Sequence, residues 1–308
     1  MIKLLAGIVT FNSRKTIERC LAALNESTTD ISCKIVVHDN ASTDGTSEFI
    51  SQNFTGIELI AAEKNMGYAV GVNRIAGSCD WEYFLILNPD LYLEKEAIQT
   101  ALRFIESTED AFLVGAKLID LNGNPTHSWG DIVTPSLFQY DFSGLRKILP
   151  FSDWSSTKKV ITRKEPFIAG FVTGAFMLVP RKAWNLVGPM DENFFLYFED
   201  TDWAFRLKKA GKRAYVHPGV VAVHESGASF GSDAAANEFK MKCYFESAHK
   251  YFTKHFGKSQ GDAVMARILS MAKLKLSILR ISGKSENGAA ARQKLIIRIL
   301  NEVTGKIS

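Results

Sequence analysis

The sequence predicts an α/β fold built on a doubly wound, mainly parallel sheet, followed by a C-terminal helical extension. Three observations predict it. Apolar runs and stretches of helical spacing alternate strand by helix through roughly the first hundred residues. The runs are apolar without interruption, as in Phe84-Leu85-Ile86-Leu87, which is the composition of a strand covered on both faces. Polar clusters follow several of these strands at their carboxyl ends, the edge where open α/β sheets bind ligands.

In chain order, Lys3 to Val9 reads as the first strand, and Thr10-Phe11-Asn12-Ser13 as a polar turn able to cap a helix. Arg14 to Leu24 has helical spacing, with Ile17, Leu21 and Leu24 on one face. Lys34 to His38 is a strand closed by the sharp loop Asp39 to Gly45. Thr46 to Phe54 reads as helix and Ile57 to Ala62 as strand. Asn65-Met66-Gly67 opens a helix through Ala76. Trp81 to Leu87 is a strand that Asn88-Pro89-Asp90 stops, because Pro89 has no N–H for the ladder. Glu94 to Ile105 is the next helix and Ala111 to Ile119 the next strand.

Asp120 to Glu165 then has no clear period and contains His127, Trp129, Phe138, Tyr140, Phe142 and Trp154, as suited to loop packing as to sugar stacking. Pro166 to Pro180 is compact and apolar, Arg181 to Val187 a short helix. Asp191 to Trp203 comes next, followed by a helix to Lys209. Arg213 to His217 and Val220 to His224 read as strands, and Asp233 to Phe256 as a long helix. Two candidate helices close the chain, Ala266 to Ile281 and Gln293 to Val303, the second with Ile296, Ile299, Leu300 and Val303 on one face. The organisation expected is a body over 1–256, divided at 119/120, and a basic amphipathic tail over 257–308.

Composition bounds the function. The 308 residues, 46% hydrophobic and 23% charged, suit a soluble globular protein. Met1-Ile2-Lys3-Leu4-Leu5 runs into a strand without a cleavage-site pattern, and no apolar run reaches membrane-spanning length. Cys20, Cys33, Cys79 and Cys243 are too scattered for a metal cluster. Residues 254–308 hold eleven Lys and Arg against Asp262, Glu286 and Glu302, a surplus of eight within a total of +4, so the remainder is net −4. In this tail the cations alternate with Leu and Ile, unlike nucleic-acid binding segments; it is expected to cover the core, pair two copies or meet an anionic membrane.

Asp39 to Asp44, Asn88 to Asp90, Glu199-Asp200 and His224 are the clusters with chemistry to offer. Carboxylates at the ends of neighbouring strands repel unless a cation lies between them, and Asp with His suits Mg²⁺ or Mn²⁺ shared with a substrate diphosphate. Neither a P-loop nor a Gly-x-Gly-x-x-Gly fingerprint follows the first strand.

Val9-Thr10-Phe11-Asn12, Asp39 to Asp44, Asn65-Met66-Gly67 with Gly71-Val72-Asn73, Leu87-Asn88-Pro89-Asp90, Gly174-Ala175 and Phe195 to Asp200 occur in that order. Together they resemble a family 2 glycosyltransferase of the GT-A fold over residues 3 to 230. Asn-Pro-Asp with the later Tyr-Phe-Glu-Asp is most similar to the rhamnosyltransferase-type branch, which uses dTDP-L-rhamnose.

The resemblance implies that Thr10, Asn12, Asp39 and Asn40 line the nucleotide pocket, with Asp39 accepting the pyrimidine N3–H, and that Asn65 and Gly67 adjoin it. It implies that Asn88 binds ribose, that Asp90 and His224 hold the metal, and that Asp200 is the general base of an inverting transfer. Glu199, Trp203 and Arg206 would support the acceptor side. The neutral Asn88 departs from the family's Asp-x-Asp pattern. Also implied are a nucleotide-diphosphate sugar donor and a glycan or lipid-linked acceptor in bacterial surface polysaccharide synthesis. The scattered cysteines suit reduced thiols and a cytoplasmic location, to which the basic tail adds the option of peripheral contact with the inner membrane face.

Three alternatives stand beside this. One is a UDP-sugar donor carrying galactofuranose, glucose or N-acetylhexosamine. Another is a nucleotidyltransferase, whose Gly-rich N-terminal loop is missing here. The third is a non-catalytic sugar- or membrane-binding module, which would be expected to lose Asp90, Asp200 or His224. Asp44 and Thr46 equally suit helix capping.

Overall fold

The structure is a computed structural model that describes residues 2–143, 163–225, 234–283 and 288–305; Trp154 lies outside them. The chain divides into two units, one of residues 1–132, 153–195 and 199–232, the other of 133–152, 196–198 and 233–308.

The first unit is a sheet with helices on both faces. Its strands are β1 (Ile2–Thr10), β2 (Cys33–Asp39), β3 (Glu58–Ala61), β4 (Trp81–Leu87), β5 (Leu91–Leu93), β6 (Ala111–Ile119), β7 (Trp129–Gly130), β8 (Phe167–Ala169), β9 (Phe171–Val172), β10 (Phe176–Pro180) and β11 (Arg213–His224). Its helices are α1 (Ile17–Ser27), α2 (Thr46–Asn53), α3 (Tyr68–Ala76) and α4 (Ala97–Ser107), then, after α5 (Pro135–Ser143) of the other unit, α6 (Arg181–Val187) and α7 (Glu199–Lys209).

The main sheet runs β3-β2-β1-β4-β10-β6-β11-β5, with β8 also on β11, while β7 and β9 form a separate pair. The first four are mutually parallel, as are β6 and β11. β10 lies antiparallel between β4 and β6, and β5 antiparallel to β11.

Strand alternation sorts the core into two layers. Leu4, Ala6, Ile8, Leu85 and Leu87 pack with Ile17, Leu21 and Leu24 of α1, Ile50 of α2 and Ile98 and Leu102 of α4. Leu5, Val9, Phe84 and Ile86 pack with Val72 and Ile75 of α3, Ala183 of α6 and Trp203 of α7. Gly7 is a requirement of this packing, since a Cβ there would stand 2.7 Å from the Phe84 ring. Burial on both faces is why these strands lack a polar alternation.

Four elements differ from expectation. β5 was hidden because Asn88-Pro89-Asp90 separates Leu91 to Leu93 from β4, and its partner β11 is far away in sequence. The two strands expected over 213–224 are one, with a register shift between His217 and Val221. Pro218 offers no N–H there, and the Gly219 N–H turns to His217 Nδ1 at 3.1 Å. Within 120–165, the short β7 and the helix α5 carry too weak a period to be read. Trp129 and Phe138 from this stretch are buried.

The second unit is helical: α5, α8 (Ala234–Phe256), α9 (Lys258–Ile281) and α10 (Gly288–Gly305). Phe138 of α5 meets Phe198, Tyr244 and Phe252, and Phe198 also meets Tyr251. Ile296, Ile299, Leu300 and Val303 are all buried, so the expected face of the last helix covers core. Lys242–Glu302 at 2.8 Å and Arg298–Glu238 at 2.6 Å tie α10 to α8. The expected boundary at 256/257 is here the Gly257 turn between two helices of one unit. Among the described residues no helix is long and apolar enough to cross a membrane.

Candidate active site

The carboxyl ends of β1 and β2 stand in register, pairing Thr10 with Asp39. Both are buried, and the Thr10 hydroxyl donates to Asp39 Oδ1 at 2.7 Å. The same carboxylate accepts Ser42 Oγ–H on Oδ1, and the Ser42 N–H and Ser47 Oγ–H on Oδ2. A carboxylate has about four acceptor positions, so protein donors fill all of them. Asp39 therefore stiffens the loop after β2, and the expected base N3–H would have to displace one of these donors.

Asn12, at φ 53°, gives its N–H to Ser42 Oγ at 2.8 Å and accepts the Thr43 N–H on Oδ1 at 2.8 Å, which joins the β1 and β2 loops. The buried Asn40 continues the connection: its N–H reaches Thr10 O, its Nδ2 donates to Gly67 O, and its Oδ1 accepts the Met66 N–H. Asn65 Oδ1 accepts the Gly67 N–H at 3.0 Å. Gly67 sits at φ +92°, and a Cβ there would lie 2.7 Å from Phe195 O, which already accepts the Tyr68 N–H at 2.9 Å. Thr10, Asn12, Asp39, Asn40, Asn65 and Gly67 are thus one bonded group of loops.

At the end of β4 the Asn88 N–H donates to Ala175 O at 3.0 Å, and Asn88 O accepts the Leu91 N–H. This turn delivers Asp90, 5% exposed, to the end of β11. Pairing of His224 with Leu91, together with the Glu225 N–H on Asp90 O, brings His224 Nε2 to 3.2 Å from Asp90 Oδ1. The two expected metal ligands are neighbours. Adjacent ligands of one octahedral ion stand about 3 Å apart, so the donor set fits Mg²⁺ or Mn²⁺. Among the described residues no group of three or more such side chains forms a metal site. An ion held by this pair would depend on substrate oxygens for its remaining ligands.

Asp200 lies in the first turn of α7. Its Oδ2 accepts the Gly174 N–H at 2.8 Å, and its Oδ1 accepts the Thr201 N–H and Oγ1–H. Burial raises its pKa; the donors from Gly174 and Thr201, and the charge of His127, pull the other way. One acceptor position of the carboxylate is left over, as a base needs. The buried Glu199 Oε2 has no hydrogen-bond partner among the described residues. Burial, then the neighbouring Asp200 charge, push its pKa well above the usual carboxylate range, which favours the neutral form of Glu199. Tyr197 and Phe198, just before the pair, sit at φ 68° and 69°, a conformation that costs non-glycine residues about 1–3 kcal/mol each and collects at functional sites.

Sequence reasoning missed the joint between these parts. The Tyr68 hydroxyl donates to Gly174 O at 2.8 Å. Burial, then Glu199, Asp200 and Asp90, raise its pKa far above the phenolic range. The Thr173–Ala175 turn thus binds Tyr68, Asn88 and Asp200 at once, and the Thr173 N–H anchors it to Ser128 O at 3.0 Å. Its only signal was Gly174-Ala175 inside an apolar segment. His127 carried no pattern of its own.

Trp203 and Arg206 are a correction. Trp203 is fully buried, its Nε1–H on Gly188 O at 2.9 Å and its ring stacked on Trp184. Arg206 spends its guanidinium on Asp202 Oδ2, Val187 O and Pro189 O. Both fasten the 187–189 loop to α7.

A family model described as glycosyl transferase family 2 matches residues 6–185. The N-acetylglucosaminyl-diphospho-decaprenol L-rhamnosyltransferase of Mycobacterium tuberculosis is 29% identical over 246 residues, 74% of this chain and 78% of that protein. Rhamnosyltransferase WbbL of Escherichia coli is 27% identical over 228 residues, 70% of this chain and 81% of its own. The solved mannosyltransferase PcManGT from Pyrobaculum calidifontis, in complex with GDP-Man and Mn²⁺, aligns with a TM-score of 0.56 at 14% identity, over 99% of this chain and 86% of that one. That likeness speaks to the fold.

Proposed function

The chain belongs to glycosyl transferase family 2, and on that premise we propose that it is an inverting, metal-dependent transferase moving L-rhamnose from dTDP-L-rhamnose to a lipid-linked glycan acceptor. Relatives named as rhamnosyltransferases support the sugar, and one named for a decaprenol-linked substrate supports the acceptor. The Thr173–Ala175 turn carries the reading for the site. Through backbone groups it fixes the end of β4, where a donor diphosphate is expected, and the Asp200 carboxylate, where an acceptor hydroxyl is expected.

Asn12, Asn40, Asn65 and Gly67 shape the nucleotide pocket on loops pinned by Thr10 and Asp39. Asn88 offers its amide to the ribose. Asp90 and His224 would hold an Mg²⁺ or Mn²⁺, whose charge offsets that of the leaving diphosphate. Asp200 takes the proton of the acceptor hydroxyl as that oxygen bonds to the anomeric carbon from the face opposite the diphosphate. The carbon–oxygen bond to phosphate breaks, and its electron pair leaves with the nucleoside diphosphate. Burial and the Asp200 charge favour the neutral form of Glu199, which in that form does not compete for that proton.

The test is a donor panel of dTDP-, UDP- and GDP-sugars, with and without Mg²⁺ or Mn²⁺, read by thermal stabilisation and by product anomer. A metal-dependent rise in Tm with dTDP-L-rhamnose is expected by mass action. Preferential stabilisation by a UDP-sugar would reassign the donor, and a retained anomeric configuration would remove Asp200 as base.

A further inference from the structure

Helix α9 has two apolar faces, and its unit uses one. Val264, Met265, Ile268, Ala272 and Leu276 are buried on the inner face. On the opposite side Leu274, Ile278 and Ile281 recur at the spacing of a single helical stripe and are 62%, 56% and 89% exposed. One stripe suffices for a helix that packs on one core, so the second calls for a second partner. Lys273 and Arg280, seven residues apart, border it along one edge; both are exposed and without an ion-pair partner among the described residues. From 263 to 283 the chain carries Arg267, Lys273, Lys275 and Arg280 and no acidic residue.

We infer that this outer face of α9 is a docking surface for anionic phospholipid. Leu274, Ile278 and Ile281 enter the boundary between headgroups and acyl chains, while Lys273 and Arg280 meet headgroup phosphates. Large aliphatic side chains edged by uncompensated cations are what a helix lying in a membrane surface requires. A second copy of the chain is a poorer occupant. Stable interfaces engage about 20–30 residues a side and are depleted in lysine. A two-fold contact through this stripe would also bring the same cations of both copies together. The inference gives the lipid-linked acceptor reading a setting without depending on it.

The full chain is mixed with vesicles of phosphatidylcholine alone or with 30% phosphatidylglycerol, containing neither donor nor acceptor, and sedimented. Binding to the anionic vesicles that weakens in high salt is expected. Leu274→Ser/Ile278→Ser/Ile281→Ser should lower the partition coefficient at least tenfold. Lys273→Gln/Arg280→Gln should lower it roughly 30-fold. Because all five positions are exposed, Tm should stay unchanged in both variants. Undiminished vesicle binding by the triple variant would overturn the inference. So would a dimer in sedimentation velocity that this variant abolishes. Neither result bears on transfer, which the donor panel tests separately.

Discussion

Replacing Asp200 with asparagine should separate chemistry from fold, and the hydrogen bonds around it give the size of each effect. The carboxylate accepts three bonds, one on Oδ2 from Gly174 and two on Oδ1 from Thr201. Asparagine has one acceptor oxygen. Whichever way the amide turns, its NH₂ faces a backbone N–H, of Gly174 or of Thr201, and leaves that group unpaired. The cost is about 1–3 kcal/mol. Burial opposes the Asp200 charge, as its raised pKa shows, and a neutral amide relieves that opposition. The two effects have opposite signs, so the net loss of stability should be no more than about 1–2 kcal/mol. Loss of a general base lowers kcat by about 10²–10⁴-fold, or roughly 3–5 kcal/mol. The assay is single-turnover transfer at saturating donor, with Tm and dTDP affinity measured on the same preparations. Expected are a kcat at least a hundredfold lower, a small fall in Tm and unaltered dTDP affinity. A kcat within tenfold of the wild type would refute the assignment. A parallel loss of dTDP affinity would make Asp200 a strut of the site.

Thr201→Val removes a donor to the Asp200 carboxylate, so the carboxyl pKa should rise further and the acid limb of kcat against pH should move to higher pH. His224→Ala and Asp90→Asn should each abolish the extra thermal stabilisation that Mn²⁺ adds to dTDP, with little change in Tm of the free protein; retained metal dependence in both would free the pair from that role. Gly67→Ala should destabilise by roughly 2–4 kcal/mol in urea unfolding, because strain at φ +92° adds to a clash with Phe195 O. Gly211→Ala, at φ +75° in open space, should cost about 1–2 kcal/mol, and equal losses would discount the clash. The fully buried His38, whose pKa burial lowers, is neutral in the folded chain. The unfolded chain takes up that proton below about pH 6.5, so stability should fall as pH drops through that value, and His38→Leu should flatten the slope between pH 7 and 5.

Strands β1, β2 and β4 were legible because their central residues are buried on both faces and form continuous apolar runs, while the half-exposed edge strand β3 followed from the alternation of strand and helix. The polar loops after β1, β2 and β4 were legible because a parallel sheet places them together at one edge. The meeting of Asp90 and His224 could be expected but not located, since it depends on β5 pairing with β11, and β5 is three residues long. The misplacement of Trp203 and Arg206 has a plain cause. Helical spacing relates residues to one another along α7 but does not say which side of α7 faces the core. Trp203 packs into the layer that contains Phe84, and a guanidinium one turn away is then free to close the adjoining loop.

The joint at Thr173–Ala175 is made of peptide groups alone. Gly174 gives its N–H to Asp200 and its carbonyl to Tyr68, while the Ala175 carbonyl takes the Asn88 N–H. A Cβ added to Gly174 would meet the Tyr68 ring no closer than 3.4 Å. An alanine scan would therefore pass over the point where the halves of the site are joined and record it as tolerant. Exposing it requires an edit to the main chain itself, such as an amide-to-ester exchange that deletes the Gly174 N–H and leaves every side chain as it was.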